Sequence, residues 1–131
     1  MPSRTFPAWP ASVADARRYV GELLGSVPPD LCRTATLLVS ELATNVLLHT
    51  TSAEFAVEIR TAAGEGTVWV GVTDSGRGLP VVRSPSAVVE RGRGVQLVAT
   101  LADRWGARRR RAGTEKTVWF ELSYEPRALP G

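Results

Sequence analysis

Hydrophobic positions recur every three or four residues over much of the first fifty residues, which is the period of an amphipathic helix. The first series predicts a helix that begins at Ser12, with Asp15 completing a capping-box variant, and ends at Gly25. The second series predicts a longer helix from Asp30 to about Thr50. The apolar positions of the two series are Val13, Ala16, Val20, Leu23 and Leu24, then Leu31, Ala35, Leu38, Leu42 and Val46.

The period changes to two after residue 54. Residues 55–59 and 68–72 alternate apolar with other side chains around the turn Gly64-Glu65-Gly66, which predicts a hairpin with one buried face. A short extended segment is expected at residues 4–9. The remaining predicted elements are a third, short helix at residues 95–101 and two further strands near residues 104–110 and 117–122.

Strands that alternate strictly have one face on the core and one on water, which is the antiparallel pattern. The helices must then pack together against one face of the sheet. The sequence predicts an α+β two-layer sandwich, with a mixed, mostly antiparallel sheet of four to five strands and three helices on one face. We expect a single domain over residues 1–131, with a core at about 4–124 and a loose tail at 125–131.

Three polar residues interrupt the second predicted helix. At about 100° per residue, Glu41, Asn45 and His49 share one sector of the helix. That sector also contains three leucines, Leu37, Leu38 and Leu48. A carboxylate on an apolar face costs several kcal/mol unless it is paired. These residues are therefore either a satisfied core polar group or a site whose chemistry is used.

Two glycine-rich segments follow the hairpin. Asp74 ends a predicted strand and precedes Gly76 and Gly78, so its carboxylate stands on a turn that a flat ligand could approach, where it could accept a hydrogen bond from an exocyclic amine. The same pattern also occurs as a plain structural turn. Gly92-Arg93-Gly94 opens the third helix and is a candidate anion site, because unpaired N–H groups point out of a helix N-terminus.

Composition narrows the class of protein. The chain is 44% hydrophobic and 22% charged, which is ordinary for a globular domain. A single cysteine, Cys32, excludes an internal disulfide and favours a reducing compartment. We recognise no secretory signal and no apolar run of the roughly 18 residues that a membrane span needs. The expected location is the cytoplasm, without membrane association.

The basic residues concentrate in one run, Arg108-Arg109-Arg110-Arg111. Such a run could bind phosphate or an acidic partner, or form a solvated strand edge whose side chains alternate between faces. No aromatic platform or reader motif accompanies it, so direct nucleic-acid binding is not expected.

The order of these pieces resembles a known superfamily. The chain has, in order, a helix with Glu-x-x-x-Asn, a strand ending in Asp-x-Gly-x-Gly, a connector, and Gly-x-Gly on a helix. This order is similar to that of the ATP-binding domain shared by gyrase, a heat-shock chaperone, mismatch-repair ATPases and histidine kinases. Three further segments resemble those of the anti-sigma factor serine/threonine kinases. They are Phe6-Pro7-Ala8, Ser40-Glu41-Leu42-Ala43-Thr44-Asn45-Val46 and Lys116-Thr117-Val118-Trp119-Phe120. One departure is Glu115, where relatives often have glycine.

The resemblance implies ATP and Mg²⁺ as cofactors and assigns roles to individual residues. Asn45 would bind Mg²⁺, Glu41 would be the general base, and Asp74 would accept a hydrogen bond from the adenine amino group. Residues 79–91 would form a lid over ATP. The other implied nucleotide-binding residues are His49, Gly76, Gly78, Leu79, Gly92, Arg93, Gly94, Val95 and Thr117.

Two functions remain open at this point. In the first, the protein phosphorylates a serine or threonine of an anti-sigma factor antagonist and alternately binds a sigma factor, as the resemblance implies, with a homodimer as the implied assembly. In the second, it is a non-catalytic module in which ATP orders the lid and so creates or hides a protein-binding surface.

Overall fold

The computed structural model of the chain describes residues 2–62, 64–76, 93–110 and 115–126, without the side chains of residues 93–96 and 110. Five strands and three helices lie within these ranges. The strands are β1 (Ser3–Pro7), β2 (Glu54–Ala62), β3 (Thr67–Asp74), β4 (Arg104–Arg110) and β5 (Glu115–Ser123). The helices are α1 (Pro10–Leu23), α2 (Pro29–His49) and α3 (Arg93–Leu101).

The strands form one open sheet in the order β1-β2-β3-β5-β4, and every pairing between them is antiparallel. The predicted α+β architecture is therefore confirmed, with all described strands antiparallel where a mixed sheet was expected. The hairpin of β2 and β3 turns at Gly66, whose φ of 68° lies in the left-handed region that favours glycine.

The core lies between the helices and one face of the sheet. The side chains on this face come from alternate strand positions, as the period of two predicts. The largest fully buried side chains are Phe55, Phe120, Leu24, Leu38, Leu42, Ile59, Val20, Val39, Val57, Val68, Val70 and Val72. Burial of each such side chain contributes about 1.5–3 kcal/mol, so this layer is the main source of stability.

Helix α2 occupies the centre of the helical layer. It packs against α1, α3, β3 and β5. By length and composition α2 could also span a membrane, and it is the one helix of the described residues that passes this test. Six of its side chains are buried against the rest of the domain, which is the position of a core helix in a globular fold.

Both long helices begin two residues or less before the predicted caps. Helix α1 begins at Pro10, so Ser12 lies inside the first turn, where it is buried, and is not the N-cap. Helix α2 begins at Pro29, and Asp30 lies in its first turn. Proline is favoured at the first helical position because its φ is already helical and its missing N–H would be unpaired there. The predicted starts were wrong for this reason.

The other face of the sheet carries no described helix. Trp69 and Trp119 stack on this face with ring centroids 6.2 Å apart. Each ring lies across a glycine: a Cβ at Gly71 would stand 2.4 Å from the Trp69 ring, and one at Gly106 would stand 2.9 Å from the Trp119 ring. The glycines in these strands therefore make room for tryptophan rings that lie flat on the sheet.

Candidate functional site

A tight turn holds the carboxylate of Asp74 at the end of β3. The backbone N–H of Gly76 donates a hydrogen bond of 2.9 Å to Oδ1 of Asp74, and the backbone N–H of Ser75 donates one of 3.1 Å to Oγ of Ser52. Asp74 itself is only 3% exposed. One carboxylate oxygen is thus committed to the turn, and the position of the group is fixed before any ligand binds.

Gly76 is required by the chain segment that follows α2. A Cβ at this position would stand 2.6 Å from the backbone nitrogen of Ser52, 2.7 Å from Cβ of Thr50 and 2.8 Å from the backbone nitrogen of Thr51. Real Cβ atoms do not approach backbone so closely, so any other residue would push the two loops apart. The sequence pattern suggested that glycine at this position leaves room for a ligand. In the structure the space beside Gly76 is filled by residues 50–52.

A pocket opens between α2 and the sheet beside this turn. It encloses about 310 Å³ of space, its open mouth included. Most of its walls are apolar, and the lining residues with polar side chains are Asn45, His49, Thr50, Asp74 and Lys116. The lining residues are Leu42, Asn45, Val46, His49, Thr50, Val72, Asp74, Lys116 and Val118. An apolar cleft with a few convergent polar groups is the usual form of a small-molecule site.

Asp74 and Lys116 are cross-strand partners on β3 and β5, and both side chains are buried. Burial raises the pKa of Asp74 above its ordinary value, and the charge of Lys116, the Gly76 hydrogen bond and Arg109 oppose that rise. Burial lowers the pKa of Lys116, a shift that Asp74 opposes and Arg109 reinforces. For each group loss of hydration outweighs the attraction of its partner, because both are held away from water.

The predicted residues of α2 are only partly brought together. Asn45 and His49 line the pocket with Asp74. Glu41 lies one helical turn before Asn45, half-buried, and is not among the lining residues. The sector that these residues share lies at the border of the helical layer, since Leu38 on one side of it is fully buried while Leu37 is 41% and Leu48 65% exposed. A half-exposed border can hold polar side chains at lower cost than a fully apolar face.

Thr117 does not lie in the pocket. Its hydroxyl forms a hydrogen bond of 2.7 Å with that of Thr73, on the sheet face opposite the helices. Successive strand residues point to opposite faces, so the neighbouring Lys116 faces the pocket instead. Of these two adjacent residues, Lys116 lines the pocket and Thr117 does not, so a contact of Thr117 with adenine stays a prediction that the geometry of the pocket does not support. The buried positions Val118 and Phe120 fix the parity of β5 and could have identified Lys116.

Several predicted residues lie at or beyond the limits of the described chain. Gly78, Leu79, Gly92 and the whole of the lid predicted at residues 79–91 belong to 77–92, which lies outside the described residues. Arg93, Gly94 and Val95 form the first turn of α3, which begins at Arg93. The predicted glycine-opened helix is thus present, and its contacts with phosphate stay a prediction.

The described residues offer few side chains that could bind a metal, which suits a metal ion bound mainly by the phosphates of a nucleotide. No group of three or more His, Cys, Asp or Glu side chains that could hold a metal occurs among them. Asn45 lines the pocket, and its side-chain amide carries an oxygen that can bind a cation. Mg²⁺ commonly takes one or two protein oxygens and completes its shell with water and substrate phosphates. Asn45 therefore fits a Mg²⁺ that arrives with a nucleotide.

Comparison with known proteins agrees with this geometry. Residues 6–121 match the family model described as histidine kinase-like ATPase domain. The chain is similar to the histidine kinase domain from the blue-light activated histidine kinase of Erythrobacter litoralis EL346, with 27% identity and a TM-score of 0.53 over 90% of this chain and 61% of that one. A second structure of that kinase gives 27% identity and a TM-score of 0.55 over 86% of this chain and 40% of that one.

The chain thus spans less than two thirds of the length of either of these structures. The comparison with curated proteins gives no significant match.

Proposed function

Since the chain belongs to the family of histidine kinase-like ATPase domains, we propose that it is an ATP-binding regulatory protein that phosphorylates a serine or threonine of an anti-sigma factor antagonist and also binds a sigma factor. One observation carries the ATP part of the proposal. Asn45 on α2 and Asp74 at the end of β3 line the same pocket, although 28 residues separate them in the chain. An amide suited to a phosphate-bound cation and a carboxylate suited to a base amine therefore face one ligand.

The pocket divides the nucleotide between its walls. Val46, Val72 and Val118 offer apolar surface to the planar base, and the carboxylate of Asp74 accepts a hydrogen bond from the amino group. Mg²⁺ held with Asn45 would neutralise the charge of the phosphates. The phosphates would extend towards the N-terminus of α3, where backbone N–H groups favour anions.

The chemical step is assigned to the helical turn before Asn45. The carboxylate of Glu41 takes the proton of the attacking hydroxyl, whose oxygen forms a new bond to the γ-phosphorus while the bond from that phosphorus to the bridging oxygen of ADP breaks. Phosphoserine or phosphothreonine and ADP are the products. Positioned general-base catalysis of this kind contributes about 10²–10⁴-fold to rate. Glu41 is half-buried, so its carboxylate is partly accessible to a second substrate.

The alternative is a non-catalytic module whose surface changes when ATP binds. It uses Asn45 and Asp74 in the same way and does not need Glu41. The absence of Glu41 from the pocket lining is the observation that keeps this alternative open.

Phosphotransfer separates the two functions. The protein is purified from its host with bound partners and incubated with γ-labelled ATP and Mg²⁺, and the acid stability of the label on the partner is measured. A serine or threonine kinase gives an acid-stable label, whereas phosphohistidine is lost in acid. Glu41→Gln should keep ATP affinity and reduce transfer by about 10²–10⁴-fold. Glu22→Gln, an exposed position on α1, is the matched control.

Asn45→Ala should instead lose the Mg²⁺-dependent part of ATP binding. An unlabelled partner, or transfer by Glu41→Gln at the wild-type rate, would reject the kinase assignment and leave the gated module as the better account.

A further inference from the structure

Lys116 is the only lysine of a chain that has 16 basic residues, and its side chain is only 4% exposed. The arginines whose side chains are described are half-buried or exposed. Burial of an ammonium is costly, and a lysine at this position is not explained by packing, which any apolar residue would satisfy. Lys116 also lines the pocket that contains Asn45 and Asp74.

The strand register fixes where Lys116 stands. It lies directly opposite Asp74 on the neighbouring antiparallel strand, and both side chains point to the helical side of the sheet. On the same face of these two strands the neighbouring pair, two residues back along β3, is Val72 and Val118, which line the same pocket. The floor of the pocket therefore consists of an apolar pair, Val72 and Val118, followed by a charged pair, Asp74 and Lys116.

This pair is complementary to one edge of adenine. A carboxylate can only accept hydrogen bonds and an ammonium can only donate them. Adenine carries its amino group, a donor, between two ring nitrogens, N1 and N7, which are acceptors. A base whose amino group meets Asp74, and whose plane runs along the Asp74–Lys116 pair, presents a ring nitrogen on the side where Lys116 lies.

We propose that Lys116 is a second base-recognition residue of the pocket, which donates a hydrogen bond to a ring nitrogen of adenine while Asp74 accepts one from the adjacent amino group. The proposal rests on the proposed function, since it takes ATP as the ligand, and it adds a contact that the family pattern assigned to Thr117. The observed geometry supplies the reason: Thr117 points away from the pocket and Lys116 points into it.

The competing account is that Lys116 serves only to balance the charge of Asp74. The pair does attract, since each group shifts the pKa of the other towards its charged form. Charge balance predicts that removal of Lys116 weakens all adenine nucleotides alike. Base recognition predicts that the loss depends on one ring nitrogen, and atom-substituted analogues can detect that dependence.

The test is calorimetric titration with ATP, 1-deaza-ATP and 7-deaza-ATP, each of the two analogues lacking one ring-nitrogen acceptor. A hydrogen bond to a charged group contributes about 1.5–3 kcal/mol, so wild-type protein should bind one analogue about 10–100-fold more weakly than ATP. Lys116→Met should bind ATP more weakly by a similar factor and should no longer distinguish ATP from that analogue. This double-mutant logic isolates the single contact.

Arg108→Met is the matched control, because Arg108 is exposed on β4 and pairs in register with Thr117 rather than with Lys116. It removes one positive charge from the same end of the sheet and should keep the wild-type preference among the nucleotides. If Lys116→Met fails to fold, the wild-type titrations can still overturn the proposal, because a hydrogen bond from Lys116 to a ring nitrogen requires weaker binding of one analogue.

Equal wild-type affinity for ATP and both analogues would overturn the proposal, as would a Lys116→Met protein that keeps the wild-type preference. An absence of any ATP binding by wild-type protein would overturn the proposed function first, and this proposal with it.

Discussion

The carboxylate of Asp74 and the backbone N–H of Gly76 form a hydrogen bond of 2.9 Å that closes the turn after β3. Gly76 also packs against the backbone of Thr51 and Ser52, so this turn and the segment after α2 hold each other in place. The carboxylate of Asp74, which lines the pocket, is thereby fixed relative to the helix that carries Asn45. Pocket geometry and loop packing depend on the same glycine.

Gly76→Ala should reduce both stability and nucleotide affinity. Its Cβ would stand 2.6 Å from the backbone nitrogen of Ser52, and relief of such overpacking costs about 1–3 kcal/mol. Denaturant unfolding measures the loss. Gly64→Ala is the matched control, because a Cβ there meets nothing within 4 Å and stability should stay close to wild type. Equal stability of both variants would contradict the packing described.

Asp74→Asn should abolish detectable ATP binding or weaken it by at least 1–3 kcal/mol, about 5–150-fold. The amide presents a donor where the amino group of adenine needs an acceptor, and it loses the charge that Lys116 faces. Calorimetric titration with ATP and Mg²⁺ is the measurement. Wild-type affinity in the variant, or wild-type affinity for GTP equal to that for ATP, would remove the adenine assignment.

Lys116→Met should make folding stability more sensitive to pH. Burial raises the pKa of Asp74 above its ordinary 3.8, and the charge of Lys116 opposes that rise. A carboxyl group whose pKa is higher in the folded than in the unfolded state stabilises the protein at pH values below its unfolded pKa. This contribution is lost as the pH rises through its folded pKa. Without Lys116 the pKa of Asp74 should rise further, at about 1.4 kcal/mol for each additional unit.

The loss of stability that Lys116→Met causes should therefore grow as the pH rises above 3.8, the ordinary pKa of the Asp74 carboxyl group. Denaturant unfolding at several pH values, with Arg108→Met alongside, measures it. A loss that is constant over these pH values would show that Lys116 does not act on the ionisation of Asp74.

Thr117→Val should leave ATP affinity unchanged while lowering stability slightly. The variant loses the hydrogen bond of 2.7 Å with the hydroxyl of Thr73, and such a bond contributes about 0.5–1.5 kcal/mol. Both hydroxyls lie on the sheet face away from the pocket, so the nucleotide should not sense the change. A matching loss of affinity in titration would return Thr117 to the nucleotide site.

The sequence predicted most of the fold because two periods dominate it. Alternation at Val68, Val70 and Val72 and helical spacing along α2 are local signals that survive in the structure. Helix starts were less predictable: the polar residues Ser12 and Asp30 resemble caps, but an adjacent proline sets each start. Several neighbouring residues can each begin a helix, and which one does so depends on backbone geometry that residue type alone does not determine.

The sequence identified individual residues of the candidate site better than the contacts between them. Asn45 and Asp74 were identified from motifs, and the structure brings them to one pocket. The role of Gly76 was attributed to ligand approach because its contact with residues 50–52 is tertiary and leaves no local pattern. Lys116 was missed because a lysine in a strand is usually exposed, although the parity of β5 placed it beside the core.

The arginine-rich edge strand has a consequence for solubility. Strand β4 is the last in the sheet order and pairs only with β5 among the described strands, so no described strand pairs with the N–H and C=O groups of its outer edge. Charged side chains are the common device by which natural sheets deter the pairing of an edge with another chain. Three of the seven residues of β4 are the consecutive arginines Arg108, Arg109 and Arg110, and their mutual repulsion across two juxtaposed copies would discourage the edge from seeding aggregates.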